Sequence, residues 1–180
     1  MTESASEDRL DKYLWDRRHE VLYNVELSSL YHQKRERFFE LWDKLGKVAS
    51  LFGGSAALFK AADAGFVSYM ALAITATSAL SLVFGFSERS KRHADLSRKF
   101  KLLAASVVSK GEIDFTEQDI NAWNVEKYQL ETSEPPALTL LVVLCQNEIA
   151  IAQNQKQKVI PVGFWKRQLA NYIDLPAPHT

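Results

Sequence analysis

The chain has 180 residues, room for one or two small domains. Its 22 basic and 22 acidic residues cancel, which excludes nucleic-acid binding driven by bulk charge. A single cysteine, Cys145, excludes an intramolecular disulfide and fits a reducing compartment, and an N-terminus with Glu3, Glu7 and Asp8 ahead of any apolar run is not a secretory signal.

From Glu7 to Leu45 there is no proline, and the first glycine is Gly46. Leu10, Leu14, Val21, Val25, Leu30, Phe38, Leu41 and Leu45 recur at steps near three and four, which predicts one long amphipathic helix, or two in line, over residues 1–44. Tyr31, Phe38, Phe39 and Trp42 crowd its end, as headgroup-level aromatics do and as ordinary core aromatics also do.

Mean hydropathy is only −0.19, yet the apolarity is concentrated in residues 45–87. Val48 to Phe59 carries no charge, Lys60 and Asp63 mark a polar break, and Ala64 to Ser87 is again uncharged. This predicts a transmembrane helical hairpin with spans at about 45–62 and 64–87. The first is short and spans only if Lys47 and Lys60 extend their stems toward the headgroups; alone it reads equally as a buried core helix. Lys44 and Lys47 before the hairpin, and Arg89, Lys91 and Arg92 after it, place both termini in the cytoplasm by the positive-inside rule.

Small residues fill the hairpin. Ala49, Gly53 and Ala57 repeat every four positions, Gly54 continues a parallel row from Gly46 and Ser50, and Ala71, Thr75 and Ala79 do the same on the second span. Such spacing lets backbones approach and makes these candidate helix-packing residues, in one chain or between copies of a homo-oligomer. Ser68, Thr75, Ser78 and Ser81 share one broad arc and are candidate pore-lining residues, although hydroxyls also satisfy themselves on their own helix carbonyls. No charge lies mid-span, which argues against proton-coupled transport.

Residues 88–175 read as a cytoplasmic helical region. One helix runs over 87–110, with Ser87 as N-cap, Gly111 as stop, and an apolar stripe of Leu96, Phe100, Leu103 and Val107. Thr116 and Asp119 have capping-box spacing for a helix reaching Glu131. Pro135 and Pro136 open another, through Leu138, Leu141, Val142, Cys145, Ile149 and Ala152, too short to span and suited to the centre of a bundle. Residues 159–175 form a short amphipathic candidate that either docks on lipid or packs on the bundle, and 176–180 form a disordered tail. The fold class expected is therefore all-α: a long N-terminal helix, a two-span hairpin and a C-terminal helical bundle.

Catalytic signatures are scarce. His19, His32, His93 and His179 have no metal-ligand spacing, no phosphate loop, nucleophile elbow or dinucleotide fingerprint occurs, and no cofactor is implied. Cys145 sits in the most apolar part of the cytoplasmic region and reads as a packing residue. The most distinctive polar group is Tyr31, His32, Arg35 and Arg37 beside Phe38 and Phe39. On a helix Tyr31, Arg35 and Phe38 share a face, and the group reads as a juxtamembrane collar of Tyr31, His32, Arg35, Phe38 and Phe39, as a docking face for the basic helix or another subunit, or as lipid-surface anchoring.

The run Tyr31-His32-Gln33-Lys34-Arg35 followed by Phe38-Phe39, a hairpin opening near Gly53-Gly54-Ser55-Ala56, and a basic helix after Arg89 resemble the SLATT domain. This is a two-transmembrane effector domain of bacterial conflict systems that use nucleotide second messengers. The resemblance runs from about Tyr13 to Gln153. It implies an inner-membrane effector that oligomerises and forms a pore or disrupts the bilayer in an anti-phage response, partnered by a separate sensor or nucleotide-generating protein. The residues by themselves leave two alternatives open: a membrane-anchored scaffold without pore activity, and a soluble bundle that buries the hairpin.

Overall fold

A computed structural model of the chain describes the backbone of residues 2–58 and 64–178, and side chains over 9–51, 68–69, 71–79 and 83–178. Lys60 and Asp63, the expected polar break, lie outside the described residues. The described residues are all-α: α1 (Thr2–Leu58), α2 (Ala64–Phe84), α3 (Phe86–Ser109), α4 (Glu117–Glu131), α5 (Thr139–Ala152) and α6 (Phe164–Leu169), with a 3-10 turn at Lys156–Lys158. Among the described residues no helix is long and apolar enough to cross a membrane, so the two spans expected at 45–62 and 64–87 find no support there.

The chain divides into two compact units, Met1–Gln33 with Asp95–Thr180, and Lys34–Ala94. The first is a helical bundle with two apolar clusters. In one, Val21 and Val25 of α1 meet Phe100, Leu103 and Val107 of α3 and Ile120 and Trp123 of α4. Phe100, Leu103, Val107 and Leu96 are all buried, so the stripe expected on α3 is its core face. In the other, Tyr31 of α1 packs with Leu140, Leu141 and Cys145 of α5 and with Ala170. The apolar series on α1 holds only in its middle: Leu10 and Leu41 are more than half exposed, and Leu45 nearly so.

Polar side chains fix the positions of these helices. Ser29 and Ser97, both buried, exchange hydrogen bonds: Ser29 Oγ donates to the Ser97 carbonyl at 3.2 Å and Ser97 Oγ to the Ser29 carbonyl at 3.1 Å. Arg17 donates to Glu117 at 3.3 Å and to Asn121 at 3.0 Å, tying α1 to α4. Buried Arg18 donates to the Val107 carbonyl at 3.4 Å and lies over the Phe115 ring.

The boundaries follow from local chemistry. Thr116 and Asp119 form the expected capping box, with Asp119 N–H donating to Thr116 Oγ1 at 3.3 Å and Thr116 N–H to Asp119 Oδ2 at 2.9 Å. Gly111 ends α3 at φ +75°, where a side chain would be strained. Ser87 is not the N-cap of α3. Gly85 adopts φ +56° and its carbonyl accepts from Arg89 N–H at 3.0 Å, so the helix starts two residues earlier.

Nor do Pro135 and Pro136 open α5. Leu138 is held extended at φ −83°, ψ 112°, its N–H donating to Tyr31 Oη at 3.0 Å, and helix begins at Thr139, whose N–H donates to Asp174 at 2.7 Å. The α5 C-terminus closes in a Schellman motif: Asn154 takes φ +62°, Gln155 N–H donates to the Ala150 carbonyl at 2.7 Å and Asn154 N–H to that of Ile151 at 3.0 Å. Beyond it, buried Asn147 grips the backbone of Ile160, accepting from its N–H at 2.8 Å and donating to its carbonyl at 2.7 Å. The helical candidate at 159–175 shrinks to the six residues of α6, bounded by the extended Gly163 and by Ala170.

Candidate functional site

The five residues expected to form one collar fall into two groups. Tyr31 and His32 belong to the first unit and are 6% and 1% exposed, so they present almost no polar surface. His32 Nε2 donates to the Glu134 carboxylate at 3.0 Å, and its ring stacks on Phe100 at 5.8 Å and meets Tyr31 edge-on at 5.3 Å. With a carboxylate as acceptor, that nitrogen must carry the proton. Adjacent residues of α1 thus hold both sides of the Pro135-Pro136 connection, His32 through Glu134 and Tyr31 through Leu138.

Arg35, Phe38 and Phe39 belong to the second unit and form a cation–aromatic cluster there. Phe39 is buried; its ring stacks on His93 at 5.5 Å, and the guanidinium groups of Arg35 and Arg89 lie 4.4 and 5.8 Å from its centroid. Trp42 and Phe84 both stack on Phe86, at 6.1 and 5.6 Å. Ser90 Oγ donates to the Glu36 carbonyl at 3.3 Å, pinning the start of α3 to α1 inside this unit. Arg89 belongs to the basic helix for which this face was one expected docking surface, whereas Phe84 and Phe86 were not expected in the cluster; their signal is their position on either side of Gly85, where the chain changes helix.

On α2 most of the described side chains are exposed, with Ile74 and Thr77 half-buried. Tyr69, Leu72 and Val83 are 76%, 68% and 77% exposed, and Ser68, Ala71, Thr75, Ser78 and Ala79 are exposed as well. Thr75 Oγ1 donates to its own helix at the Ala71 carbonyl, 2.9 Å away, and Thr77 does the same to Ala73 at 2.7 Å. Ala49 is exposed on α1. The side chains of Ala57 and Ser81, and any packing at Gly53 and Gly54, lie outside the described residues.

Elsewhere in the first unit, a groove of about 460 Å³ runs between Asp16, His19 and Glu20 of α1 and Gln146, Gln153 and Lys158. Among the described residues no three His, Cys, Asp or Glu side chains gather as a metal-ligand set. Cys145 is buried in the α5 cluster. The arrangement therefore offers two chemistries: buried polar clamps that fix the bundle, and an exposed apolar α2 flanked by aromatic and guanidinium groups. No family model, no curated protein and no solved structure matches this chain.

Proposed function

We propose that the chain is a non-enzymatic effector of the bacterial inner membrane that inserts residues 45–87 as a hairpin, oligomerises through it and permeabilises the bilayer, with both termini cytoplasmic. The observation that carries the reading is α2. Its 21 residues contain no charge and leave Tyr69, Leu72 and Val83 uncovered. An apolar surface of this kind is untenable in water and is satisfied by lipid or by other copies. The cluster of Phe38, Trp42, Phe84 and Phe86 with Arg35 and Arg89 has the composition of a membrane interface. The SLATT resemblance supports a conflict-system role and a separate sensor or nucleotide-generating partner.

Fractionation and a membrane-potential dye test it together. The expressed chain should stay with carbonate-washed membranes and depolarise cells, and Gly53→Leu or Gly54→Leu should abolish depolarisation without releasing it. Recovery in the soluble fraction, or normal potential and growth with every candidate trigger, would refute the reading.

A second reading, a membrane-anchored scaffold without a pore, is favoured by the Thr75 hydroxyl, which serves its own helix at Ala71 rather than a water path. Under it, Ser68→Ala, Thr75→Ala and Ser78→Ala leave activity intact, whereas Leu141→Ala and Ile149→Ala abolish partner binding.

A further inference from the structure

The segment after α5 was equally suited, on its sequence, to packing on the bundle or facing lipid; its side chains divide the two tasks cleanly. Its backbone and small residues are the anchor. Asn147 holds Ile160 by two hydrogen bonds, Ala170 is fully buried, Val162 and Leu175 pack against the α5 cluster, and Asp174 caps Thr139. Its aromatic pair is not part of that anchor. Phe164 and Trp165 are 66% and 77% exposed, and Leu169 and Ile173 nearly half exposed. An aromatic pair in edge contact at 5.4 Å is thus presented outward from a fixed base.

The charge carried by the segment itself is one-sided. From Gln155 to Ile173 there are four basic residues, Lys156, Lys158, Lys166 and Arg167, all exposed, and no acidic residue. The acidic residue that follows, Asp174, is occupied at the α5 N-terminus, and of the four basic residues Lys158 faces Asp16 and Glu20 of α1 across the groove of about 460 Å³. Outward Trp and Phe beside exposed Lys166 and Arg167 are complementary to an anionic headgroup layer, where amphipathic rings sit at the interface and each basic side chain gains from the surface potential.

We propose that the 155–173 segment is a peripheral membrane-docking platform, with Phe164 and Trp165 entering the interface and Lys156, Lys166 and Arg167 selecting anionic lipid. The platform is independent of α2: it binds lipid whether or not the hairpin inserts.

The test uses the full-length chain with nanodiscs of phosphatidylcholine alone or mixed with phosphatidylglycerol, each also made with brominated acyl chains. Subtracting the emission of Trp165→Phe isolates Trp165 from the other tryptophans. Trp165 should be quenched by brominated lipid in the anionic discs, and the double change Lys166→Glu with Arg167→Glu should lower its partitioning at least about tenfold. Raising salt to about 1 M, where the Debye length is about 3 Å, should have a similar effect. Association of the chain with neutral discs reports α2 insertion separately, so the two ideas fail independently. Absence of Trp165 quenching in both discs overturns the platform, as does equal quenching in both that ignores the charge reversal. Concentration-dependent shielding of Trp165 without quenching also overturns it and assigns the surface to a second copy.

Discussion

Replacing Asn147 by alanine should loosen one defined part of the molecule. Its side chain makes two hydrogen bonds to the Ile160 backbone, at 2.7 and 2.8 Å, and is itself 8% exposed. At about 1 kcal/mol net per bond the loss is about 2 kcal/mol. The penalty for unpaired buried groups stays small because Ile160 is only half-buried, so water can reach its amide once the clamp is gone. About 2 kcal/mol is about a 30-fold change in an equilibrium constant, so local opening at Ile160 should become about 30-fold more frequent. Native-state hydrogen exchange reads this directly: the Ile160 amide accelerates, while the Leu103 and Val107 amides of α3, buried in the other cluster, keep their protection. Asn147→Asp retains the acceptor for the Ile160 N–H but sets a carboxylate against its carbonyl, so the amide should remain partly protected. Unchanged Ile160 protection in a folded Asn147→Ala protein would refute the clamp.

Three further outcomes are expected. Phe100, fully buried and stacked on His32, should cost about 3–5 kcal/mol as Phe100→Ala and about 1 kcal/mol as Phe100→Leu, read as a shift in urea midpoint. The Asp119 carboxyl is held below its ordinary range first by the Thr116 backbone N–H, then by Lys110 and the Thr116 hydroxyl. A depressed carboxylate stabilises above its unfolded value of about 3.9 and loses that contribution as pH falls through the folded one, so exchange at the start of α4 should rise below about pH 4, and Asp119→Asn should flatten the profile. Gly111→Ala should cost about 1 kcal/mol from its φ of +75° alone, since an added Cβ meets nothing within 4 Å; a thermal scan that shows no loss would contradict this.

What was legible in the sequence was what is local. The Thr116–Asp119 box closes over three residues, Gly111 ends a helix by its own dihedral, and Leu96, Phe100, Leu103 and Val107 repeat on one face, so each could be read without knowing a neighbour. Asn154 carries a comparable local signal, since asparagine tolerates the left-handed conformation that a Schellman motif requires. Proline at the start of α5 misled because the general preference for Pro in a first turn lost to one distant donor–acceptor pair, Leu138 N–H to the Tyr31 hydroxyl. The collar rests on the helix face that Tyr31, Arg35 and Phe38 share. A shared face does not say what covers it, and the helix changes partners within about two turns, from Glu134 and Phe100 at His32 to His93 at Phe39. The Asn147 clamp and the Asp174 cap join residues 13 and 35 positions apart, beyond the reach of any local pattern.

The serine exchange between α1 and α3 has a mechanical meaning beyond its two hydrogen bonds. Apolar ridges are greasy: a helix can slide along a neighbour by one turn and find nearly equivalent grooves. Ser29 and Ser97 act as a keyed joint, because each hydroxyl finds its acceptor only when its opposite number is level with it, and a slip breaks both bonds at once. The joint therefore sets axial alignment while adding little adhesion. Changing both serines to alanine should leave the helices associated but free to creep along each other.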